Sequence, residues 1–302
     1  MTAQLGLGTY LQSEDDLREV LARAHHFGFD LVDTSTNYGH GVSQRVVGQY
    51  LRQARTWMPK VVTKVGYVTE AMIANQNIPA SVLSDVAHRQ CFSPAYIEWQ
   101  ARRSAETLNV EALLLHNPER QRQYLPEGRF EDQMMSAFEA LERQRQAGSI
   151  RSYGVAIWDV SVDAAWNTAA YWAGLVTKSV GHLEGFKYFQ HPVNLVDIRS
   201  IARIGTTDSD IAFCGSNGIA TIASSPLRGG ELLTCIDREL ANLIMPGASA
   251  AEAAFLASMS VPGLDWVLTG ARQPRHIDEL VHTFRTGPVD EATLRSLSEV
   301  LA

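Results

Sequence analysis

Three cysteines in 302 residues, Cys91, Cys214 and Cys235, are too few, odd in number and too scattered for a disulfide framework or a zinc pattern. That suits a reducing compartment. No apolar stretch approaches the roughly 20 residues needed to cross a bilayer. The opening MTAQLGLGTY lacks a charged segment followed by an apolar one, so no signal peptide is expected. Basic runs are missing as well. The formal net charge is −7, whereas nucleic-acid binding needs a concentrated positive surface. These absences argue against membrane-spanning, disulfide-stapled and nucleic-acid-binding proteins. The expectation is a cytoplasmic protein whose partner is a small molecule, with oligomeric state left open.

What is present is an ordinary globular composition, 45% hydrophobic and 20% charged, with no linker or low-complexity tract dividing the chain. Short apolar runs recur at Phe29–Val32, Val61–Thr63, Ala112–Leu115, Ser152–Ala156, Gly218–Ile222 and Trp266–Leu268. A weaker run lies at Gly174–Val180, and another is expected before Gln190. Apolar on successive positions, they suit strands buried on both faces of a parallel sheet. Helical patterns alternate with them: Ser13–Phe27, Ser43–Ala54, Pro94–Leu108, Glu131–Ala147, Val162–Trp172, Ala248–Ser260 and Pro274–Phe284. Ser13 ahead of Glu14-Asp15-Asp16 is a helix start, and Ala147-Gly148 a helix stop. About eight strand-helix units point to a (β/α)8 TIM barrel forming one domain over 1–302, with a doubly wound sheet as the alternative. Tyr67–Phe92 and Glu184–Ser216 read as long irregular segments of the kind that shape binding sites.

In such a barrel the site lies at the C-terminal strand ends. The second run ends at Asp33, the third at Lys64 and the fourth at His116, with Tyr38 just beyond the second. Each has an ordinary explanation: a turn-capping Asp, a loop aromatic, a solvated Lys, a core His. Together they place a carboxylate, a phenol, an ammonium and an imidazole on one rim. A free phenol, with a pKa near 10, exchanges protons poorly at neutral pH. A neighbouring ammonium favours phenolate and is expected to lower that value, a carboxylate fixes the ammonium, and an imidazole orients a carbonyl oxygen or relays a proton. No metal is needed for this chemistry.

The blocks GLGTY, GFDLVDTSTNYGHGVSQRVVGQYL, VVTK, LLLHNPE, GSIRSYGV, FQHPVN, SSPLRGGEL and LTGARQPRHIDEL occur in the order found in the aldo-keto reductases. The chain resembles that family from Leu5 to about Leu280. The resemblance implies a (β/α)8 barrel binding NADPH, with NADH as the alternative, and passing hydride to an aldehyde or ketone, or the reverse from an alcohol. It implies Tyr38 as general acid, tuned by Lys64 and Asp33, with His116 orienting the carbonyl. It also implies cofactor contacts from Thr9, Tyr10, Gln190, Ser225, Leu227, Gly229, Gly270, Arg272, His276 and Glu279. The short GLG pair is equally a tight turn into the first strand.

The sequence departs from the family pattern at the cofactor. Ala156-Ile157 stands where relatives place a Ser-Asn pair for the carboxamide. Ser224 replaces a stacking aromatic, His276 an Arg for the 2′-phosphate, and Leu280 an Asn facing the adenine. An Arg fork binds phosphate far better than an imidazole. Two explanations compete: an oxidoreductase with altered cofactor preference, or a lyase, isomerase, dehydratase or binding subunit with a degenerate nicotinamide site. The first is preferred, because Gln190, the Ser-Pro-Leu loop and Gly-Ala-Arg accompany the tetrad. Trp158 and Tyr67 are candidates to line or cover the pocket. His182, Lys187 and His191 read as solvated loop residues.

Overall fold

The structure, a computed structural model, describes residues 3–10, 13–84, 86–161, 164–271 and 273–301. Eight parallel strands close into a barrel in sequence order. They are β1 (Gln4–Gly8), β2 (Leu31–Asp33), β3 (Lys60–Val65), β4 (Val110–His116), β5 (Ser152–Ala156), β6 (Phe186–Pro192), β7 (Ala220–Ser224) and β8 (Trp266–Thr269). The ring is sealed where β1 pairs with β8, Gln4 lying opposite Trp266 and Leu7 opposite Thr269.

Around it run α1 (Glu14–His26), α2 (Val42–Gln53), α3 (Glu70–Gln76), α4 (Pro94–Ala105), α5 (Glu127–Gln146) and α6 (Ala169–Val180). They continue with α7 (Arg199–Ala202), α8 (Asp210–Ser216), α9 (Arg238–Ile244), α10 (Ala250–Met259), α11 (Pro274–Arg285) and α12 (Glu291–Leu301). The capping expectations hold: the Ser13 side chain accepts from the Asp16 amide, and Ala147 caps α5 ahead of Gly148 at φ 78°. Among the described residues, no helix is long and apolar enough to cross a membrane.

The expectations differ from the fold in five places. The Gly174–Val180 run is the second half of α6, not a strand. The expected helix Val162–Trp172 begins outside the described residues, and its described part turns helical only from Ala169, after the Thr168 cap. The segment Tyr67–Phe92 carries α3, and Glu184–Ser216 contains β6, α7 and α8. Leu5-Gly6-Leu7-Gly8 is strand rather than a turn. Gly6 sits where a Cβ would come within 2.9 Å of Leu268 and Leu31, so a larger residue would crowd the barrel interior.

Two apolar layers follow from the strand period of two. One lies between barrel and helices. The other fills the lumen with Leu31, Val62, Ala112, Leu114, Ala156, Tyr188, Ile222, Trp266 and Leu268. Stepping two residues towards the C-terminal end, Leu31 leads to Asp33, Val62 to Lys64, Leu114 to His116 and Tyr188 to Gln190. The polar crevice is thus the next lumen layer, laid on an apolar floor.

Candidate active site

Lys64 organises that layer. Its Nζ lies 2.6 and 2.7 Å from the two Asp33 carboxylate oxygens, 3.0 Å from the Thr34 carbonyl and 3.2 Å from the Tyr38 hydroxyl. Lys64 and Asp33 are both essentially buried. A buried ion pair holds only when further hydrogen bonds satisfy both ions. Here Asp33 Oδ2 also accepts from Gln190 Nε2 at 2.8 Å, and the Thr34 carbonyl serves the ammonium. Because Lys64 donates to the Tyr38 oxygen, the phenol's own proton is free to point elsewhere.

Tyr38 lies on a tight turn, Tyr38–Gly41, in which Gly39 and His40 both have φ 55°. Its ring stands edge-on to His116, centroids 6.0 Å apart, and 5.1 Å from Tyr10. His116 Nδ1 is hydrogen-bonded to Ser35 at 3.1 Å, and the His116 ring packs at 4.9 Å against the edge of Tyr67. Tyr67 is held in turn by the Asn117 amide at 3.1 Å. The Gln90 side-chain amide donates to both the His116 and Asn117 carbonyls, at 3.0 and 3.1 Å, and pins the strand end.

The four expected groups meet, but their tuning differs from the expectation. Burial, reinforced by the Asp33 charge, pushes the Tyr38 phenol well above its ordinary value. The ammonium does not offset this, because Asp33 neutralises it at closer range than Tyr38. Burial also draws Lys64 down against the opposing pull of Asp33; with two carboxylate oxygens within 2.7 Å, Lys64 remains an ammonium. Burial, then Lys64 and Arg120, holds His116 well below the usual imidazole range. At neutral pH the site therefore offers a protonated phenol and a neutral imidazole, a set suited to donating a proton to a developing oxyanion.

A cavity of about 660 Å³ opens over this set. Its lining includes Asp33, Tyr38, His116 and Gln190, Ser224–Leu227 with Gly229 and Gly230, and Gly270, His276 and Leu280. Gly229 and Gly230, at φ 68° and 97°, have nothing within 4 Å of an added Cβ, so the backbone there is open to a ligand. Tyr10 is at the mouth, 57% exposed. A second, larger cavity of about 1270 Å³ adjoins it, sharing Tyr67, Arg120 and Trp158.

Of the residues expected at a cofactor, Tyr10, Gln190, Ser225, Leu227, Gly229, Gly270 and His276 line the first cavity. Arg272 lies outside the described residues. Two are corrected. Thr9 does not face the cavity: it is buried, its hydroxyl donating to the Asp33 carbonyl and accepting from Ser43, so it braces β1 against β2. Glu279 is exposed; α11 turns His276 and Leu280, one helical turn apart, to the cavity. Ile157 lines the wall. His191 is a fully buried strand residue, bonded to Ser200 at 2.7 Å, rather than a solvated one.

Sequence reasoning missed Ser35, Gln90 and Asn117, whose polar side chains lie one contact beyond the reactive groups. It also missed the bond from Gln190 to Asp33. The strand alternation linking Tyr188 to Gln190 was the available signal for the last.

The cavity's lining, with polar groups, open glycine backbone and apolar wall, suits a nicotinamide dinucleotide. The Gln190 carbonyl oxygen is left for a carboxamide once its amide serves Asp33. The open backbone of Ser225–Gly230 suits a pyrophosphate, and Leu280 and His276 an adenosine.

Comparison with known proteins bears on this arrangement. The model of the aldo/keto reductase family matches residues 2–243. A curated protein of Escherichia coli, NADH-specific methylglyoxal reductase, is 25% identical over 239 residues, covering 78% of this chain but 62% of its own length. An aldo-keto reductase from Bacillus halodurans in its holo form superposes with a TM-score of 0.69 at 18% identity, covering 100% of this chain and 92% of that one. One from Klebsiella pneumoniae in complex with NADPH gives 0.63 at 20% identity, covering 98% and 90%.

Proposed function

The chain belongs to the aldo/keto reductase family, and from that membership we propose that it interconverts a carbonyl and an alcohol, using NADPH or NADH as hydride carrier and Tyr38 as general acid and base. The observation that carries the reading is the 3.2 Å bond from Lys64 to the Tyr38 hydroxyl, made in one crevice with Asp33 and His116. A bound reduced nicotinamide supplies the hydride; the protein's residues supply the rest. Gln190, the Ser225–Gly230 backbone and His276 are the groups to hold it.

The proton path follows from the hydrogen bonds. The Tyr38 proton is not committed to Lys64, so it is available to a carbonyl oxygen entering between Tyr38 and His116. As that proton leaves, the phenolate stays hydrogen-bonded to the ammonium, and Asp33 keeps the ammonium in place. His116, neutral and fixed by Ser35, positions the oxygen from the other side. In the reverse direction the same phenolate takes the alcohol proton.

A second reading, a non-redox enzyme or binding subunit on the same scaffold, draws on Ile157, whose apolar side chain forms cavity wall without a polar partner for a carboxamide. Titration with NADPH and NADH, followed by nucleotide fluorescence, separates the two. Saturable micromolar binding of either supports the reductase, and absence of binding at millimolar nucleotide favours the second reading. We also propose a cytoplasmic location, which subcellular fractionation tests.

A further inference from the structure

Arg120 stands apart from the other cations around the two cavities. Of the larger cavity's arginines, Arg122 pairs with Glu127, Arg199 with Asp210, Arg203 with Asp208 and Arg228 with Asp197. Arg120 is exposed, lines both cavities, and has no ion pair or side-chain hydrogen bond among the described residues. Its backbone is placed by the turn after β4, where Asn117 adopts φ 50° and its carbonyl accepts from the Arg120 amide at 3.3 Å.

The neighbouring acids form no ion pair with it among the described residues, although Glu119, whose Oε2 is unpartnered, feels its charge. Glu119, buried beneath it, accepts from the Trp158 and Asp159 amides through Oε1, at 2.8 and 3.3 Å. Asp159 accepts from the Ser161 amide, and Asp197 is taken by Arg228 and Asn194. The guanidinium, with no ion pair among the described residues, borders both cavities together with Tyr67 and Trp158, and its charge is felt at His116 and at Glu119. The whole chain carries a net charge of −7, so this local cation is a recognition device rather than part of a general field.

We propose that Arg120 is an anion-binding subsite for the reducible substrate: the compounds reduced are carbonyl compounds carrying a carboxylate or phosphate. The carbonyl reaches Tyr38 and His116, the anion meets the guanidinium fork, and the intervening body lies between Tyr67 and Trp158. The inference rests on the carbonyl-reducing reading above, which it deepens.

The test compares 4-carboxybenzaldehyde and 4-formylphenyl phosphate with neutral 4-methylbenzaldehyde, in the wild type and in Arg120→Met and Arg120→Lys. The kcat/KM ratio of charged over neutral aldehyde should fall tenfold or more in Arg120→Met, mainly through KM. That is the size expected when one charge-assisted hydrogen bond is lost. Arg120→Lys should retain part of the ratio. The larger wild-type ratio identifies carboxylate or phosphate as the preferred anion.

Calorimetric binding of terephthalate, which needs no turnover, should weaken at least tenfold in Arg120→Met. A ratio that moves less than threefold, or terephthalate affinity unchanged by the substitution, overturns the anion subsite and leaves carbonyl reduction standing. Wild type inert towards all three aldehydes, with terephthalate binding still dependent on Arg120, sinks the reductase reading and keeps the subsite.

Discussion

At the scale of single residues, the site turns on how three ammonium protons are shared. Lys64 faces two carboxylate oxygens, a carbonyl and a phenol, so Tyr38 receives a hydrogen bond and keeps its own proton. Tyr38→Phe should lower turnover by about 10²–10⁴-fold while the nucleotide dissociation constant changes little; near-normal activity in that variant would refute the proton-donor role. Lys64→Met leaves the Asp33 carboxylate buried with, among the described residues, Gln190 as its remaining side-chain donor, and should cost about 3–5 kcal/mol in denaturant unfolding. Removing both charges, as Asp33→Asn with Lys64→Met, should cost less than the lysine change alone, because no unpaired ion is left behind. A double variant less stable than Lys64→Met would contradict that account.

At the scale of elements, the loop after β5 hangs on one carboxylate of the turn after β4. Burial raises Glu119 to about 7, against the hydrogen bonds from Trp158 and Asp159. As pH climbs from about 4.5 to 7, the unfolded chain releases a proton that the folded one keeps, so stability drops across that window and stays lower above it. Glu119→Gln retains a carbonyl acceptor for the loop. It should stabilise the protein by about 1–3 kcal/mol near pH 8 and by little near pH 4, read from unfolding midpoints at the two pH values. On α11, His276→Arg should tighten NADPH about tenfold without affecting NADH if that position meets the 2′-phosphate; equal affinities would place the phosphate elsewhere.

Elements also show what the sequence made legible. Strands β2, β3 and β4 were readable because apolar runs end on polar residues, and the same ends delivered Asp33, Lys64 and His116. Strand β6 was faint, since Lys187, Gln190 and His191 interrupt it. Helix α6 was half mistaken for a strand because its apolar residues crowd nearly every position, leaving no periodicity to distinguish the two. The upward shift of the Tyr38 phenol was invisible locally: it comes from burial by residues distant in the chain, which no spacing reveals.

At the scale of the whole molecule, buried imidazoles set the acid limit. His191, enclosed beside Arg199 with its Nδ1 unpartnered, is lowered to about 3 by burial and then by that cation. Below the ordinary imidazole value of about 6.5 the unfolded chain takes up a proton that the folded one refuses, so stability falls with pH from there towards 3. His116 acts in the same direction. Thermal unfolding at about pH 5 should show a loss on the order of 2 kcal/mol from His191 relative to neutral pH, and His191→Gln should remove that share; an unchanged acid slope would disprove the assignment. The seam between β1 and β8 carries a different consequence, one of timing. On a ribosome the first strand to emerge has a partner that emerges last, and Gln4–Gly8 waits with one edge bare until Trp266–Thr269 has been made. The crevice above Lys64 therefore belongs to the finished ring alone, and a nascent chain arrested before that final strand has the reactive side chains without the enclosure that tunes them.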